Sequence, residues 1–394
     1  MLTDRGWAAL GAALAMVVLW VALGEPELLG VGSLLLVGAA LASILVRRFR
    51  PEARLARGLI PTVVYEGDNA TVTVTIVNEG RRSVWNAGVA DEVADLGTAR
   101  FSAHRLRPGK TFAATYQILC RPRGVYTVGP ALLTTTDPLR LAQATSALEG
   151  HDRLVVYPAV EELSGFPVVG GRDPTVHPTR PEFRNLEGED FFTLREYQTG
   201  DDLRRVHWPT SAKRDELMIR QLETPWESRG LIILDPRATS YGQRAEFEMA
   251  VRGAASVLHH LHSFGFEAGL WTGGRPVSGH DHQAYDRGME ALAGAEPLRN
   301  VDLRLGASRL RQTGRGGALV LVTGRPDRDL FEVHRLLSSD YAKTVLMSVG
   351  GPEDALEEFR RTGAISLAVV AEGSWRLAWI EAVTGGTWAT ASAG

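Results

Sequence analysis

The sequence has a single cysteine, Cys120, in 394 residues. That excludes an intrachain disulfide framework and any metal site built from cysteine alone. Lysine is almost missing: only Lys110, Lys213 and Lys343 contribute to the 43 basic residues. Such a bias reflects coding composition more than chemistry, so an arginine cluster alone is no evidence of a polyanion site. A dominant charge sign is missing too. The formal net charge is −3, which argues against a dedicated nucleic-acid binder. No Walker A sequence, dinucleotide glycine fingerprint or His-Glu-x-x-His occurs, and Gly314-Arg-Gly-Gly317 is a turn before a strand. With 44% hydrophobic and 23% charged residues, the chain is neither disordered, collagenous nor a multi-span transporter.

Charge is scarcest at the start. Gly6 to Gly24 and Leu28 to Val46 are uncharged runs of 19 residues each, long enough to cross a hydrocarbon core of roughly 30 Å as helices. Only Glu25-Pro26-Glu27 separates them, so they form an antiparallel hairpin. Gly11/Ala15 and Gly38/Ala42 offer small residues at the spacing that lets helices approach closely. Arg47, Arg48, Arg50, Arg54 and Arg57 follow the second run, and the connection has no basic residue. The positive-inside rule therefore predicts two spans of the cell membrane with both termini cytoplasmic. A second full span directly after the first favours a retained anchor over a cleaved signal peptide. Residues 1–50 are assigned to this hairpin.

Residues 51–150 read as a β-sandwich. Thr71–Val77 alternates strictly, with Val72, Val74 and Ile76 on one face. Phe112, Ala114, Tyr116, Ile118 and Cys120 repeat the pattern, and Gly124–Pro130 reads as another short strand. Several short strands between turn signals suggest an immunoglobulin-like arrangement. Cys120 lies on its core face, so a buried, inert thiol is expected.

Residues 151–229 read as a linker with one more strand, Leu154–Tyr157, and a charged motif. From Arg195 to Arg220 six basic residues face five acidic ones (Glu196, Asp201, Asp202, Asp215, Glu216). The signs nearly cancel, so the stretch is no phosphate-binding patch. It suits a cross-braced joint, with Asp201 or Asp202 capping a helical turn, Tyr197 and Trp208 as apolar anchors and Arg–carboxylate pairs fixing the loop. A hydrolase built on Glu196, Asp201 and His207 is an alternative, but no nucleophile or cofactor motif accompanies those groups.

The motif Arg195-Glu196-Tyr197, Gly200-Asp201-Asp202, Arg204, His207-Trp208, then Ser211 to Arg214 and Leu217 to Arg220, resembles the hallmark of the bacterial "domain of unknown function 58" family. The two spans, Arg123-Gly-x-Tyr-x-x-Gly-Pro130 and Asp137-Pro138 are similar to that family as well. The resemblance implies a C-terminal domain of the von Willebrand factor A kind. It also implies association with MoxR-type AAA+ ATPases and transglutaminase-like membrane proteins. It implies no enzymatic activity.

Residues 230–394 can be read independently. Strand-like runs at Gly230–Leu234, Phe266–Thr272, Ala318–Thr323, Lys343–Val349 and Ile365–Val370 alternate with helical periodicity at 244–263, 283–294, 327–338, 353–361 and 374–383. This pattern predicts a doubly wound α/β sheet with ligand sites at the strand C-termini. An A-type domain would bind Mg²⁺ there through Asp-x-Ser-x-Ser and later loops. Here Asp235, Thr239 and Thr323 are candidate ligands, but Arg237 stands where the first serine would be. A guanidinium has no lone pair to offer, and a salt bridge to Asp235 could stand in for the metal. Asp327 offers a displaced carboxylate. His259, His260 and His262 crowd a helix end, with His280 and His282 beyond. Zinc ligation is conceivable, but imidazolium groups complementing a helix C-terminus are the favoured reading.

The sequence thus predicts a multi-domain chain: transmembrane helical hairpin, immunoglobulin-like sandwich, joint and von Willebrand factor A-like domain. The expected function is that of a membrane-anchored, non-enzymatic cytoplasmic adaptor for a protein partner such as a MoxR-type AAA+ ATPase. No cofactor and no nucleic acid are expected. A Mg²⁺-dependent ligand-binding domain is the first alternative and the hydrolase the second.

Overall fold

A computed structural model of the chain describes residues 1–48, 52–164, 192–196, 206, 208–214, 216–222, 229–311 and 317–384. The chain divides into two units, Met1–Tyr157 and Pro158–Gly394.

In the first unit, α1 (Asp4–Leu23) and α2 (Pro26–Arg48) are long and apolar enough to cross a membrane. The Thr3 hydroxyl caps α1 by accepting from the Gly6 N–H at 3.1 Å. The buried small residues between the helices are Ala13, Gly32 and Ala39. A Cβ on Gly32 would come within 3.2 Å of the Ala13 carbonyl. The expected pairs are therefore misplaced: Gly11 and Ala15 are exposed, and Gly38 faces open space. The tight connection fixes the register, and the register selects which small residues meet. Ala42 is buried, but against Val46 and Ala142 at the sandwich. The start of α1 is tied there too, by the Thr3 N–H to Leu141 O at 3.0 Å and the Met1 amine to Gln143 O at 2.7 Å.

The sandwich has one sheet of β1 (Ala53–Ile60), β3 (Asn69–Asn78) and β6 (Thr111–Leu119). The other runs β2 (Val63–Tyr65), β9 (Asp152–Tyr157), β7 (Gly124–Thr136), β4 (Val84–Val93), β5 (Gly97–Leu106), with β8 (Gln143–Leu148) added on β7. Val72, Val74, Ile76 and Ile118 meet Val89, Leu133, Leu154 and Val156 in one core. The unit extends to Tyr157 rather than residue 150. Leu154–Tyr157, read as part of the linker, belongs to a strand that pairs with both β2 and β7. Cys120 is buried, and desolvation pushes its thiol up.

Arg57 lies inside this sandwich rather than at a membrane surface. Its side chain is 2% exposed. Nη2 and Nε reach the two oxygens of Asp91 at 2.6 and 3.1 Å, and Nη1 reaches Asp152 at 2.8 Å. Nη1 also donates to the Val128 and Gly150 carbonyls at 3.2 Å. The Tyr116 hydroxyl donates to Asp91 at 2.8 Å. Burial alone would lower the Arg57 pKa, but the two carboxylates outweigh it and hold it raised. Strand alternation turns this residue inward, so it drops out of the cluster counted towards topology.

In the second unit, the sheet order is β14 (Val277–Gly279), β13 (Glu267–Trp271), β12 (Arg229–Leu234), β15 (Ala318–Thr323), β16 (Lys343–Val349), β17 (Ile365–Val369). All neighbours are parallel except the short antiparallel edge β14. β12, β15 and β16 are buried on both faces, which explains their continuous apolar runs. One face packs against α6 (Leu303–Leu310), α7 (Arg328–Leu337) and α8 (Glu353–Arg361) through Leu231, Ile233, Leu319 and Leu321. The other carries α4 (Arg244–Ser263), α5 (His282–Ala293) and α9 (Trp375–Thr384). A Cβ on Gly253 of α4 would meet the Trp375 ring at 2.8 Å, so that glycine lets α9 dock. β14 and α6 were not expected from the sequence, being three and eight residues long. β10 (Phe192–Glu196) and β11 (Met218–Leu222) form a separate antiparallel pair, followed in space by the short α3 (Trp208–Arg214).

Candidate functional site

The strand order reverses at β12, whose neighbours β13 and β15 are reached by chain running in opposite directions across the sheet. Open α/β sheets bind ligands in the crevice beyond the strand ends at such a point. Asp235 follows β12 there, fully buried, and Thr323 ends β15. Asp327 caps α7, its carboxylate accepting the Leu330 N–H at 2.9 Å.

Arg237 joins these elements. Its Nε and Nη2 form a fork on Asp235 at 3.0 and 2.9 Å. Its Nη1 and Nη2 form a second fork on Asp327 at 2.8 and 2.9 Å. Planar guanidinium geometry alone allows two such bidentate contacts at once. Ser240 and Thr323 donate hydroxyl bonds to Asp235 Oδ2 at 2.7 and 2.9 Å, and the Arg237 N–H donates to Oδ1 at 3.0 Å. The Tyr241 hydroxyl secures the Asp235 carbonyl at 2.7 Å. Gly324 is required beside this turn, because a Cβ would sit 2.1 Å from the Ser240 carbonyl. Further out, Asp329 lies 3.6 Å from Arg237 and 2.9 Å from Arg304, which also reaches Glu332 at 2.9 Å. Burial alone would lower the Arg237 pKa, yet Asp235 and Asp327 hold it raised; burial would lift Asp327, yet Arg237 holds it lowered.

The residues present do not fit a magnesium ion. A carboxylate offers about four lone-pair positions, and Asp235 already accepts five donors. The guanidinium also puts a positive charge where the ion would sit. Of the three candidate ligands, Asp235 and Thr323 are brought together and Thr239 is not. Thr239 is exposed, and a 3₁₀ turn over Ala238–Ser240 presents Ser240 in its place. The expected Asp235–Arg237 bridge is present. Asp327, expected as a displaced carboxylate, pairs with the same guanidinium. Among the described residues no group of three or more His, Cys, Asp or Glu side chains could hold a metal. Asp327 also lines a groove of about 480 Å³ beside α7 and α8, with Arg328, Glu332, Arg335, Glu358 and Phe359.

The charged motif is only partly described. Arg195 and Glu196 fall on β10, opposite Ile219 and Met218. Tyr197, Gly200, Asp201, Asp202, Arg204 and His207 lie outside the described residues, and with them the expected cap and the acid/base set of the hydrolase reading. Trp208 is 65% exposed at the start of α3, so it is no buried anchor in this unit. Ser211 is buried, and its hydroxyl accepts the Met218 N–H at 2.8 Å, fastening α3 to β11. Arg214 ends α3.

Burial works against the imidazolium forms expected at the end of α4. Burial holds the pKa of His259, His260, His262 and His334 below the usual imidazole value, with His260 down to about 4. His262 stacks on Tyr285 at 4.4 Å, and the His259 ring nitrogen pairs with the Tyr285 hydroxyl at 2.9 Å. An unfolded chain binds protons from about pH 6.5 that these desolvated rings take up less readily, so the folded unit loses stability as pH falls from about 6.5 towards 4. Asp327 acts with the same sign lower down, because its stabilising charge is lost as pH falls through its lowered pKa. Thermal unfolding of the purified chain is expected to show a monotonic drop in Tm over that range; a flat profile would refute the neutral histidine core.

Two solved structures are similar to about a quarter of the chain. The CARDB domain from Pyrococcus furiosus, solved in complex with di-metal ions, is 16% identical at TM-score 0.22, covering 27% of this chain and 93% of that one. A chain of the complex between zinc 2-glycoprotein and prolactin inducible protein from human seminal plasma is 10% identical at TM-score 0.21, covering 27% and 96%. Among curated proteins, the chain is similar to the "Uncharacterized protein YeaD" of Bacillus subtilis (strain 168), 28% identical over 235 residues. That match covers 57% of this chain and 56% of the relative, so it spans little more than half of either. Residues 193–367, which run from β10 through the Arg237 site to β17, match the family described as "Protein of unknown function DUF58".

Proposed function

We propose that the chain is a membrane-anchored scaffold whose α/β unit recognises a protein partner without a metal ion. The observation that carries this reading is the Arg237 brace. At the point where a doubly wound sheet takes its ligand, every oxygen of Asp235 is engaged internally. This engagement favours a site that holds its shape through internal pairs rather than through a bound ion. It offers a rigid, charge-matched surface, continued by the groove beside α7 and α8. The strand order with its short antiparallel edge suits a domain of the von Willebrand factor A kind, here with a guanidinium in place of the ion. The sandwich acts as a spacer of immunoglobulin-like type.

The anchor reading rests on α1 and α2, on Arg47 and Arg48 at the end of α2, and on a connection without basic residues. Both hairpin ends pack on the sandwich and so share one side, which we assign to the cytoplasm. The resemblance stated above supplies the partner class, a MoxR-type AAA+ ATPase. The test uses the full chain in mild detergent. Affinity purification is expected to retain a AAA+ ATPase, and millimolar Mg²⁺ is expected to leave Tm unchanged. Recovery of no ATPase refutes the scaffold; a saturable Mg²⁺ shift that Asp235→Ala abolishes restores the metal-dependent alternative.

A further inference from the structure

The turn from β3 to β4 carries two adjacent exposed arginines, Arg81 and Arg82, and a buried side chain fixes its shape. Asn78, 0% exposed, donates to the carbonyls of Arg82 and Leu106 at 2.8 and 3.0 Å and accepts the Gly80 N–H at 3.1 Å. The N–H groups of Glu79 and Gly80 both donate to the Glu52 carbonyl, at 2.8 and 3.1 Å, which ties the turn to the chain beyond α2. On the opposite side, the buried Asp137 accepts the N–H groups of Leu139 and Ala142 at 2.9 and 2.6 Å. Its charge is thereby engaged in shaping the turn whose Ala142 packs on α2.

Between these turns and the end of α2 lies a cavity of about 690 Å³, lined by Leu45, Val46, Arg48, Arg81, Arg82 and Trp85 among others. Thr136 Oγ1 is buried in its wall with no hydrogen-bond partner among the described residues. The span itself sets the cavity's depth. The 23 residues of α2 extend about 34 Å as a helix, against a hydrocarbon core of roughly 30 Å, so Arg48 emerges among the headgroups. Trp85, with Arg105 over its ring at 4.4 Å, and the 68%-exposed Leu139 next to Pro138 of the wall complete an interfacial rim.

We propose that this cavity binds the phosphate-bearing headgroup of an anionic phospholipid in the leaflet where α2 ends. Arg48, Arg81 and Arg82 line it, together with one exposed carboxylate, Glu52. Guanidinium forks match phosphate oxygens bidentately, and the Thr136 hydroxyl adds an uncommitted donor. The arginine bias of the sequence carries no weight here; the held turn does. The proposal rests on the membrane-anchor reading above.

The test titrates the full chain, in a neutral detergent, with dioctanoyl phosphatidylglycerol, dioctanoyl phosphatidylcholine and inorganic phosphate while following Tm. Phosphatidylglycerol is expected to raise Tm saturably and the other two are not. Arg81→Gln/Arg82→Gln, two exposed positions, is expected to weaken the apparent affinity roughly thirtyfold, from about 1 kcal/mol per arginine near an anionic headgroup. An equal shift with phosphatidylcholine, an equal shift with inorganic phosphate, or an affinity unchanged in the double variant overturns the lipid site. Carbonate washing of membranes separates the two readings. A chain retained in the pellet with a flat titration sinks the lipid site alone, and a chain released by carbonate sinks the anchor.

Discussion

Arg237→Ala lowers the stability of the α/β unit by about 3–5 kcal/mol, the range for removing one partner of a buried ion pair. The variant leaves Asp235 without its guanidinium partner at 0% exposure and strips Asp327 of both its fork bonds. For a unit of this size the loss appears as a fall of roughly 10 °C in Tm. Arg237→Lys is expected to recover less than half, because an ammonium cannot form two forks. Arg237→Ser is the more diagnostic change. It returns an oxygen to the crevice and frees two positions on Asp235, so millimolar Mg²⁺ is expected to raise the Tm of this variant and not that of the wild type. A wild-type loss below 1 kcal/mol on truncation to alanine would show that the brace does not hold the crevice.

Arg57→Ala is expected to destabilise the sandwich as strongly, by about 3–5 kcal/mol. Five bonds converge from Arg57 on Asp91, Asp152 and two carbonyls. They join β1 of one sheet to β4, β7 and β9 of the other. Truncation leaves Asp91, itself 0% exposed, with the Tyr116 hydroxyl as its remaining side-chain donor. Arg57→Met/Asp91→Leu removes both charges and is expected to regain most of the loss, since apolar replacement of a buried pair is often neutral. Thermal unfolding of the two variants side by side checks this. Equal destabilisation of the single and double variants would mean that shape, not charge, matters at this position.

Arg57 also shows where sequence reading stops. A window of charge after an apolar span cannot tell an arginine facing lipid headgroups from one that strand alternation turns inward. The alternation of Val72, Val74 and Ile76 and the unbroken runs of β12, β15 and β16 were legible because period and burial agree. α6 was not, since Leu303, Ala307 and Leu310 give too short a period to stand out. β14 was not, because three residues carry no period at all. At the site, Asp235 and Thr323 were legible from their places at strand C-terminal ends, and Arg237 from standing where the A-type pattern has its first serine. Ser240 was missed because a 3₁₀ turn shifts the hydroxyl by one position from the expected Thr239. For His259, His260 and His262, proximity to a helix end says nothing about the desolvation that lowers their pKa.

The Arg237 brace also bears on how long the folded unit lasts. It joins Arg237 to Asp327 across 90 residues and Asp235 to Thr323 across 88. Bringing together chain segments that far apart costs loop-closure entropy before the contact gives any reward. Contacts made after the folding barrier govern the rate of escape from the native state rather than the rate of reaching it. Arg237→Ala is therefore expected to speed unfolding more than it slows refolding, which stopped-flow unfolding and refolding of the variant checks.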